Sequence, residues 1–173
     1  VVAYQEFYGH HVAVHKIVKL RRQLEEDVEK YSSLIFGIAG YTLNLRSAPQ
    51  LKKLLFEDLG MPVVEYTDSG APNTSKDALK KFKSMTKDDG TPKYPIADYI
   101  LKYRDASKLM SDFIKNIDTI STPDGFMFSS VKQFLETGRV SVSNPNYQSY
   151  NDTVKKYISP RKDYYMMDSD YSS

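Results

Sequence analysis

Two aspartates separated by one residue, Asp168 and Asp170, follow the apolar run from Tyr164 to Met167. In a strand, alternate side chains point to the same face, so this spacing directs both carboxylates toward one cation. Carboxylate oxygens suit Mg²⁺, which can activate an oxygen nucleophile and neutralise the charge of a phosphate. Aspartates also end strands simply because they meet water, and on this pair alone that simpler interpretation is preferred.

The rest of the composition limits what other chemistry is available. With no cysteine among 173 residues, the chain has no disulfide, no thiolate nucleophile and no cysteine-ligated metal. Of the three histidines, His11 and His15 are spaced as neighbours on a helix face, but no third ligand follows at helical spacing. We interpret them as a partly exposed helix start without a metal, which leaves the carboxylates as the candidate metal ligands.

The formal net charge of +2 is small, but basic residues concentrate in the middle of the chain. Such a stretch could follow a phosphate backbone, although scattered lysines more often form a solvated helix face. The basic residues in question are Lys76, Lys80, Lys81, Lys83, Lys87, Lys93, Lys102, Arg104, Lys108 and Lys115.

Apolar periodicity and turn signals predict the elements that carry these residues. Apolar residues at steps of three and four predict long helices over 12–36 and 96–117. Ser47, with Pro49 in the first turn and Gln50 as a capping-box partner, predicts a helix that ends near residue 59. Polar loops are expected over 66–73 and 88–95, with Thr74 or Ser75 capping a short helix between them. The apolar residues 126–128 predict a short strand. No internal repeat is visible, and a subdomain boundary is expected near 118–123.

Five blocks of residues, in order along the chain, resemble family A DNA polymerases. The first joins Ser47-Ala48-Pro49-Gln50-Leu51 to the Leu-Phe-x-x-Leu-Gly-x-Pro pattern that begins at Leu55, and the second is the loop from Ser69 to Ser75. The remaining blocks are Ile100-Leu101-Lys102-Tyr103-Arg104 with Ser107-Lys108-Leu109, Thr137-Gly138-Arg139 with Asn144-Pro145-Asn146-Tyr147-Gln148, and Asp170-Tyr171-Ser172-Ser173, which resembles the start of the family's motif A. Ser149-Tyr150-Asn151 departs from the family pattern at that point.

This resemblance implies an α+β fold, with a mostly helical thumb followed by a partial antiparallel palm sheet. The expected regions are 1–118 for the thumb, with a palm-entry segment at its N-terminus, and 119–173 for the first part of the palm. The resemblance further implies that Asp170 binds the two catalytic Mg²⁺ ions of a complete active site.

The resemblance also implies roles for DNA-binding residues. Arg139 matches an arginine that reaches the minor groove beside the primer terminus, and Asn146 and Gln148 match positions that touch the duplex nearby. Arg104 and Lys108 match helix positions on the phosphate backbone, and ordinary surface charge is the alternative for both. Asn73, Thr74 and Ser75 match the thumb-tip loop and helix start, where N–H groups favour phosphate.

The implied function is that of a fragment of a DNA-directed DNA polymerase that grips primer-template DNA and supplies one metal-binding aspartate. A dNTP binds only in the complete enzyme, so we expect the isolated chain to be inactive without a C-terminal segment carrying the fingers and remaining palm. The alternatives are a non-catalytic duplex-DNA-binding or assembly module derived from a thumb, and a structural helical protein with coincidental motifs.

We expect no membrane partner, because no apolar run approaches the roughly 18 to 20 residues that span a bilayer. The expected location is the cytoplasm of a bacterial or phage-infected host cell, and a phage-encoded origin is included in that expectation. The resemblance implies that the chain ends inside motif A, and a split gene, an intervening sequence and a cleavage are alternative explanations for this end.

Overall fold

A computed structural model describes residues 6–111, 122, 124–136, 138–144, 146–147, 150, 152–160 and 165. The chain divides into two compact units, a helical unit (Gln23–Lys108) and a sheet unit (Val1–Arg22 and Leu109–Ser173). Helices and small antiparallel sheets both occur, which confirms the α+β fold class. The predicted thumb-to-palm division at residue 118 falls outside the described residues and stays a prediction.

The first long helix, α1, spans Val14–Ala39 and confirms the helix predicted over 12–36. Its apolar stripe is buried at Ile17, Leu20, Leu24 and Ile35, while charged residues occupy the other faces. Among the helices that the structure describes, neither this one nor any other is long and apolar enough to cross a membrane.

The second helical segment begins as α2 (Ala48–Lys52) and continues as a π-helix over Lys53–Asp58. The predicted helix is present, but the predicted capping box is wrong. Ser47 makes no side-chain capping bond, and Gln50 Oε1 instead accepts a 2.6 Å hydrogen bond from the backbone N–H of Asn44. The glutamine therefore closes the preceding turn rather than the helix start.

Two hairpins of the same construction flank the short helix α3 (Lys76–Lys83) in the sequence. In the first hairpin (66–72) Tyr66 bridges Pro72, and in the second hairpin (86–92) Thr86 bridges Pro92. Matching backbone bonds close them at 2.8 Å, from Thr67 N to Ala71 O and from Lys87 N to Thr91 O. Gly70 and Gly90 take φ values of +77° and +79° at the same position, a conformation that favours glycine. The two turns therefore share one backbone geometry, although no internal repeat is visible in the sequence.

Helix α4 (Pro95–Leu109) completes the helical unit. It confirms the predicted helix as far as Leu109, whereas residues 112–117 of that prediction lie outside the described residues. The core between the helices is apolar, with Phe82 at its centre against Tyr94 and Phe56. Its buried members are Ile35, Leu45, Leu51, Leu54, Leu55, Met61, Leu79, Phe82, Ile96, Ala97, Ile100 and Leu101.

Among its described residues, the sheet unit has two antiparallel sheets and a short helix, α5 (Asp152–Lys155). In the three-stranded sheet, β1 (His10–Val12) lies between β2 (Phe126–Met127) and β5 (Ile158–Ser159). The second sheet pairs β3 (Ser130–Lys132) with β4 (Ser141–Ser143). Gly9 permits the close approach of β1 to β2, because a Cβ at that position would lie 2.7 Å from the Met127 carbonyl oxygen. The strand predicted over 126–128 is confirmed as β2.

Candidate nucleic-acid interface

The predicted site residues fall into three groups in the structure. Asp170 and Gln148 lie outside the described residues, as does Asp168, so their roles stay predictions. Arg139 and Asn146 belong to the sheet unit. The helical unit carries the others, which are Asn73, Thr74, Ser75, Arg104 and Lys108.

The polar start of α3 is built from the residues that follow the first hairpin. Asn73 Oδ1 accepts a 2.8 Å hydrogen bond from the backbone N–H of Ser75, which forms a tight local turn. Ser75 Oγ then accepts from the N–H of Ala78 at 3.3 Å, so the predicted cap is Ser75 and not Thr74. Asn73 Nδ2 donates to Glu65 Oε1 at 3.0 Å. These bonds hold the first turn of α3 in a defined position.

Arg104 reaches the same place from α4. Its Nη1 donates a 2.6 Å hydrogen bond to the carbonyl oxygen of Thr74, a residue that is itself buried. Burial lowers the pKa of Arg104, but a guanidinium remains charged at neutral pH. The structure thus brings Arg104 together with Asn73, Thr74 and Ser75. A cation beside a helix N-terminus is an arrangement that favours an anion.

The lysines of α3 are paired with carboxylates, so this helix carries less unbalanced positive charge than its sequence suggests. Asp98 also accepts from Lys102, at 2.8 Å. Burial alone would raise the pKa of Asp98, but bonds from Lys102 and Lys83 outweigh it and hold that pKa below its ordinary value. Exposed pairs of this kind stabilise the fold little. The pairs on α3 are Lys76 with Asp105 (2.8 Å), Lys80 with Asp77 (3.0 Å), Lys81 with Glu65 (2.9 Å) and Lys83 with Asp98 (2.8 Å).

Two residues that the sequence did not single out support this site. Glu65 accepts from both Asn73 and Lys81, and the bond from Lys81 lowers the pKa of Glu65. Arg46 Nη2 donates to Ser107 Oγ at 2.7 Å, which ties the chain before α2 to the buried residue preceding Lys108. Lys108 itself is exposed. Neither contact has a sequence signal, because Glu65 and Arg46 lie in irregular segments with no periodic pattern.

In the sheet unit, Arg139 and Asn146 are both exposed. Arg139 lies in the loop between β3 and β4, while Asn146 comes after β4 ends. Asn144 has a φ of +52°, a left-handed conformation that asparagine tolerates better than most residues. The chain therefore bends at Asn144, directly after β4 ends.

His10 in β1 packs against Tyr147, with ring centroids 4.7 Å apart. The Nε2 atom of His10 is buried, and no hydrogen-bond partner for it exists in the described part of the chain. Burial lowers the pKa of His10. The folded state therefore binds this proton less readily than the unfolded state, whose histidine titrates near 6.5.

Because the pKa of His10 is lowered in the folded state, we predict a loss of stability in mild acid. The stability contributed by neutral His10 is fully present above about pH 6.5 and is lost as the pH falls toward the lower folded-state pKa. His10→Phe keeps an aromatic ring against Tyr147 and should show a smaller decrease in melting temperature between neutral and mildly acidic buffer. His15→Gln at an exposed position is the control and should follow the unmodified chain. Identical pH profiles for all three proteins would contradict the prediction.

The candidate metal ligands are carboxylates near the end of the chain. In the ranges that the structure describes, no group of three or more histidine, aspartate or glutamate side chains could hold a metal ion. Asp168 and Asp170 lie outside those ranges, and their carboxylate oxygens are the donor type that Mg²⁺ prefers. The donor chemistry at Asp170 therefore fits the predicted ion.

Comparison with known families gives one match that covers most of the chain. The model of "DNA polymerase family A" matches residues 14–173. This range includes every candidate site residue from Asn73 to Asp170.

Relatives and solved structures agree with this match. DNA polymerase I of Bacillus subtilis (strain 168) is 31% identical over 181 residues, which cover 99% of this chain and 20% of that protein. The thermostable DNA polymerase I of Thermus aquaticus is 31% identical over 152 residues, which cover 86% of this chain and 17% of that protein. The polymerase domain of Pol1 from M. smegmatis, solved with DNA primer-template and dNTP, superposes with a TM-score of 0.73 at 24% identity, over 90% of this chain and 27% of that one. This chain thus spans a fifth or less of these two relatives' length.

Proposed function

Because this chain belongs to DNA polymerase family A, we propose that it forms part of a DNA-directed DNA polymerase, where it grips primer-template duplex and supplies one metal-binding aspartate. The observation that carries the proposal is the extent of the family match, which includes all the candidate DNA-binding and metal-binding positions. In this proposal the helical unit corresponds to much of the thumb, and the last residues of the sheet unit belong to the palm.

The grip on the duplex is assigned first to the start of α3. The phosphate backbone would lie against the first turn of α3, where the helix N-terminus attracts negative charge. Arg104 contributes its fixed positive charge there and, through its 2.6 Å bond to Thr74 O, keeps the turn in place. Lys108 would contact phosphate from the next turn of α4. These contacts position DNA without reading its sequence.

Arg139, Asn146 and Gln148 are assigned to the duplex near the primer terminus. A planar guanidinium can donate to the minor-groove acceptors that all base pairs present, so Arg139 would sense pair shape rather than base identity. Both Arg139 and Asn146 are exposed to solvent, as contact with a duplex requires. The relative from M. smegmatis, which was solved with primer-template DNA, supports duplex DNA as the partner of this fold.

Asp170 is assigned to metal binding. Mg²⁺ bound there would lower the pKa of the primer hydroxyl and offset triphosphate charge. In this proposal the chain supplies the Asp170 carboxylate for the metal ions beside the duplex that Arg139 and Asn146 position. One carboxylate is too few for the two ions, so the 173-residue polypeptide is expected to be inactive by itself.

A complementation assay tests the proposed function. The 173-residue chain is mixed with a polypeptide that carries the fingers and the remaining palm, and extension of a labelled primer is followed with and without Mg²⁺. We expect magnesium-dependent extension by the mixture and none by either polypeptide alone. A folded complex of the two that binds DNA but never extends the primer would contradict the enzymatic role.

A further inference from the structure

Among the basic residues from Lys76 to Arg104, two stand apart when these residues are sorted by their partners in the described part of the chain. Those on α3 pair with carboxylates, Lys102 pairs with Asp98, and Arg104 donates to Thr74. For Lys87 and Lys93, no carboxylate partner is found in the described part of the chain. Lys93 Nζ lies 5.6 Å from the ring centre of Tyr94. Both lysines belong to the second hairpin and the residue that follows it.

The two hairpins place different residues at equivalent positions, and the difference is one of charge. Counting from the bridge residues, Lys87 and Lys93 take the places that neutral Thr67 and Asn73 take in the first hairpin. The backbone of Lys93 donates to Met85 O at 2.9 Å, as Asn73 donates to Glu65 O. Met85 therefore occupies the place that Glu65 has beside the first hairpin, where the Glu65 carboxylate accepts from Asn73 and Lys81. The second hairpin thus has two cations at positions that are neutral in the first, and an uncharged residue where the first has Glu65.

The ladder geometry puts both lysines on one face of the second hairpin. Opposite and alternate residues of an antiparallel pair share a face, so the Thr86 to Pro92 bridge assigns Lys87 and Lys93 to the other face together. Diagonal neighbours of this kind lie about 7–8 Å apart. Their flexible stems allow both ammonium groups to reach one strand of nucleic acid.

The acidic residues of this hairpin occupy the turn and not the ladder. Asp89 accepts from the backbone N–H and the hydroxyl of Thr91, at 2.8 and 2.6 Å, and the hydroxyl bond lowers the pKa of Asp89. Asp88 is exposed at the tip. The hairpin thus separates its charges along its length, with cations toward the base and anions at the turn.

We propose that the second hairpin is an additional contact for the phosphate backbone of duplex DNA, made by Lys87 and Lys93. The inference rests on the proposed function, in which the first hairpin leads into a phosphate-binding helix start. The second hairpin repeats that backbone and adds two cations that no described carboxylate neutralises. Its contacts would lengthen the footprint on the duplex without reading sequence.

The salt dependence of DNA binding tests this proposal, because each phosphate contact adds a fixed increment to the slope of log affinity against log salt. Affinity of the 173-residue chain for a short mixed-sequence DNA duplex is measured by fluorescence anisotropy over a series of KCl concentrations. For Lys87→Gln/Lys93→Gln we expect the slope of log affinity against log salt to fall by about 2, with about tenfold weaker binding at low salt. Unchanged circular dichroism shows that the variant is folded.

The matched control is Lys80→Gln/Lys83→Gln, which removes the same charge from lysines already paired with Asp77 and Asp98. For this control, the slope of log affinity against log salt should change by less than half as much as for Lys87→Gln/Lys93→Gln. An unchanged slope in the hairpin variant, or equal changes in both variants, overturns the inference while leaving duplex binding intact. Absence of duplex binding by the unmodified chain would refute both the inference and the proposed DNA grip.

Discussion

Asp170→Asn is expected to slow primer extension by the complemented enzyme by about a thousandfold, while duplex affinity stays unchanged. Asparagine keeps the size of the side chain but removes the negative charge that binds Mg²⁺. Because a carboxylate repels phosphate, its loss should not weaken the grip on DNA. Single-turnover extension rates and anisotropy binding, measured on the same preparation, separate the two effects.

Asp124→Asn provides the control for this prediction, since Asp124 is an exposed residue in the turn before β2. It should extend primers at the unmodified rate. Extension by Asp170→Asn within about tenfold of the unmodified complex would show that Asp170 is not an essential metal ligand. Loss of DNA binding together with activity would instead point to a folding defect.

Phe82→Ala is expected to destabilise the helical unit by about 3–5 kcal/mol, a large share of the stability of an ordinary domain. The side chain is 1% exposed, lies 5.6 Å from Tyr94 and 6.3 Å from Phe56 between ring centres, and fills the centre of the core. Its removal leaves a cavity that rigid neighbours close only in part. Urea unfolding followed by circular dichroism measures the loss, because α2, α3 and α4 lie in this unit.

Phe134→Ala is the matched control, because Phe134 is 99% exposed and belongs to the sheet unit. The same chemical change there should alter the free energy of unfolding by no more than about 0.5 kcal/mol. A cost below about 1 kcal/mol for Phe82→Ala would mean that the core of the helical unit repacks freely around the missing ring.

Patterns local to the sequence predicted the helices well. The sequence predicted the apolar stripe of α1, the cap at Ser75 and the first part of α4. Each of these features depends on residues within a few positions of one another. The π-helical turns after Lys52 were not predicted. Apolar residues at steps of three and four suit either helix type, and only the observed bond from Leu59 N to Leu54 O distinguishes them.

Such local patterns did not predict contacts between residues that are far apart in the sequence. The bond from Arg104 to Thr74 joins residues 30 positions apart, and the pairing of Lys76 with Asp105 joins residues 29 apart. No periodicity reports these partners, so the sequence indicated a basic surface where the structure has paired charges. The common geometry of the two hairpins was not predicted for a different reason. The hairpins share only Asp, Gly and Pro at matching positions, and their likeness lies in the backbone conformation.

The bridge that closes the second hairpin allows the turn at its tip to be lengthened. Because Thr86 and Pro92 hold the two ends together, a longer tip would add only loop-closure entropy, about 0.6 kcal/mol for each doubling of its length. A Cβ added at Gly90 would meet nothing within 4 Å, so the tip has open space around it. Residues can therefore be inserted before the exposed Asp88, which keeps the bonds between Asp89 and Thr91, without displacing α3 or α4. This side of the turn is a suitable place to attach a fluorescent reporter.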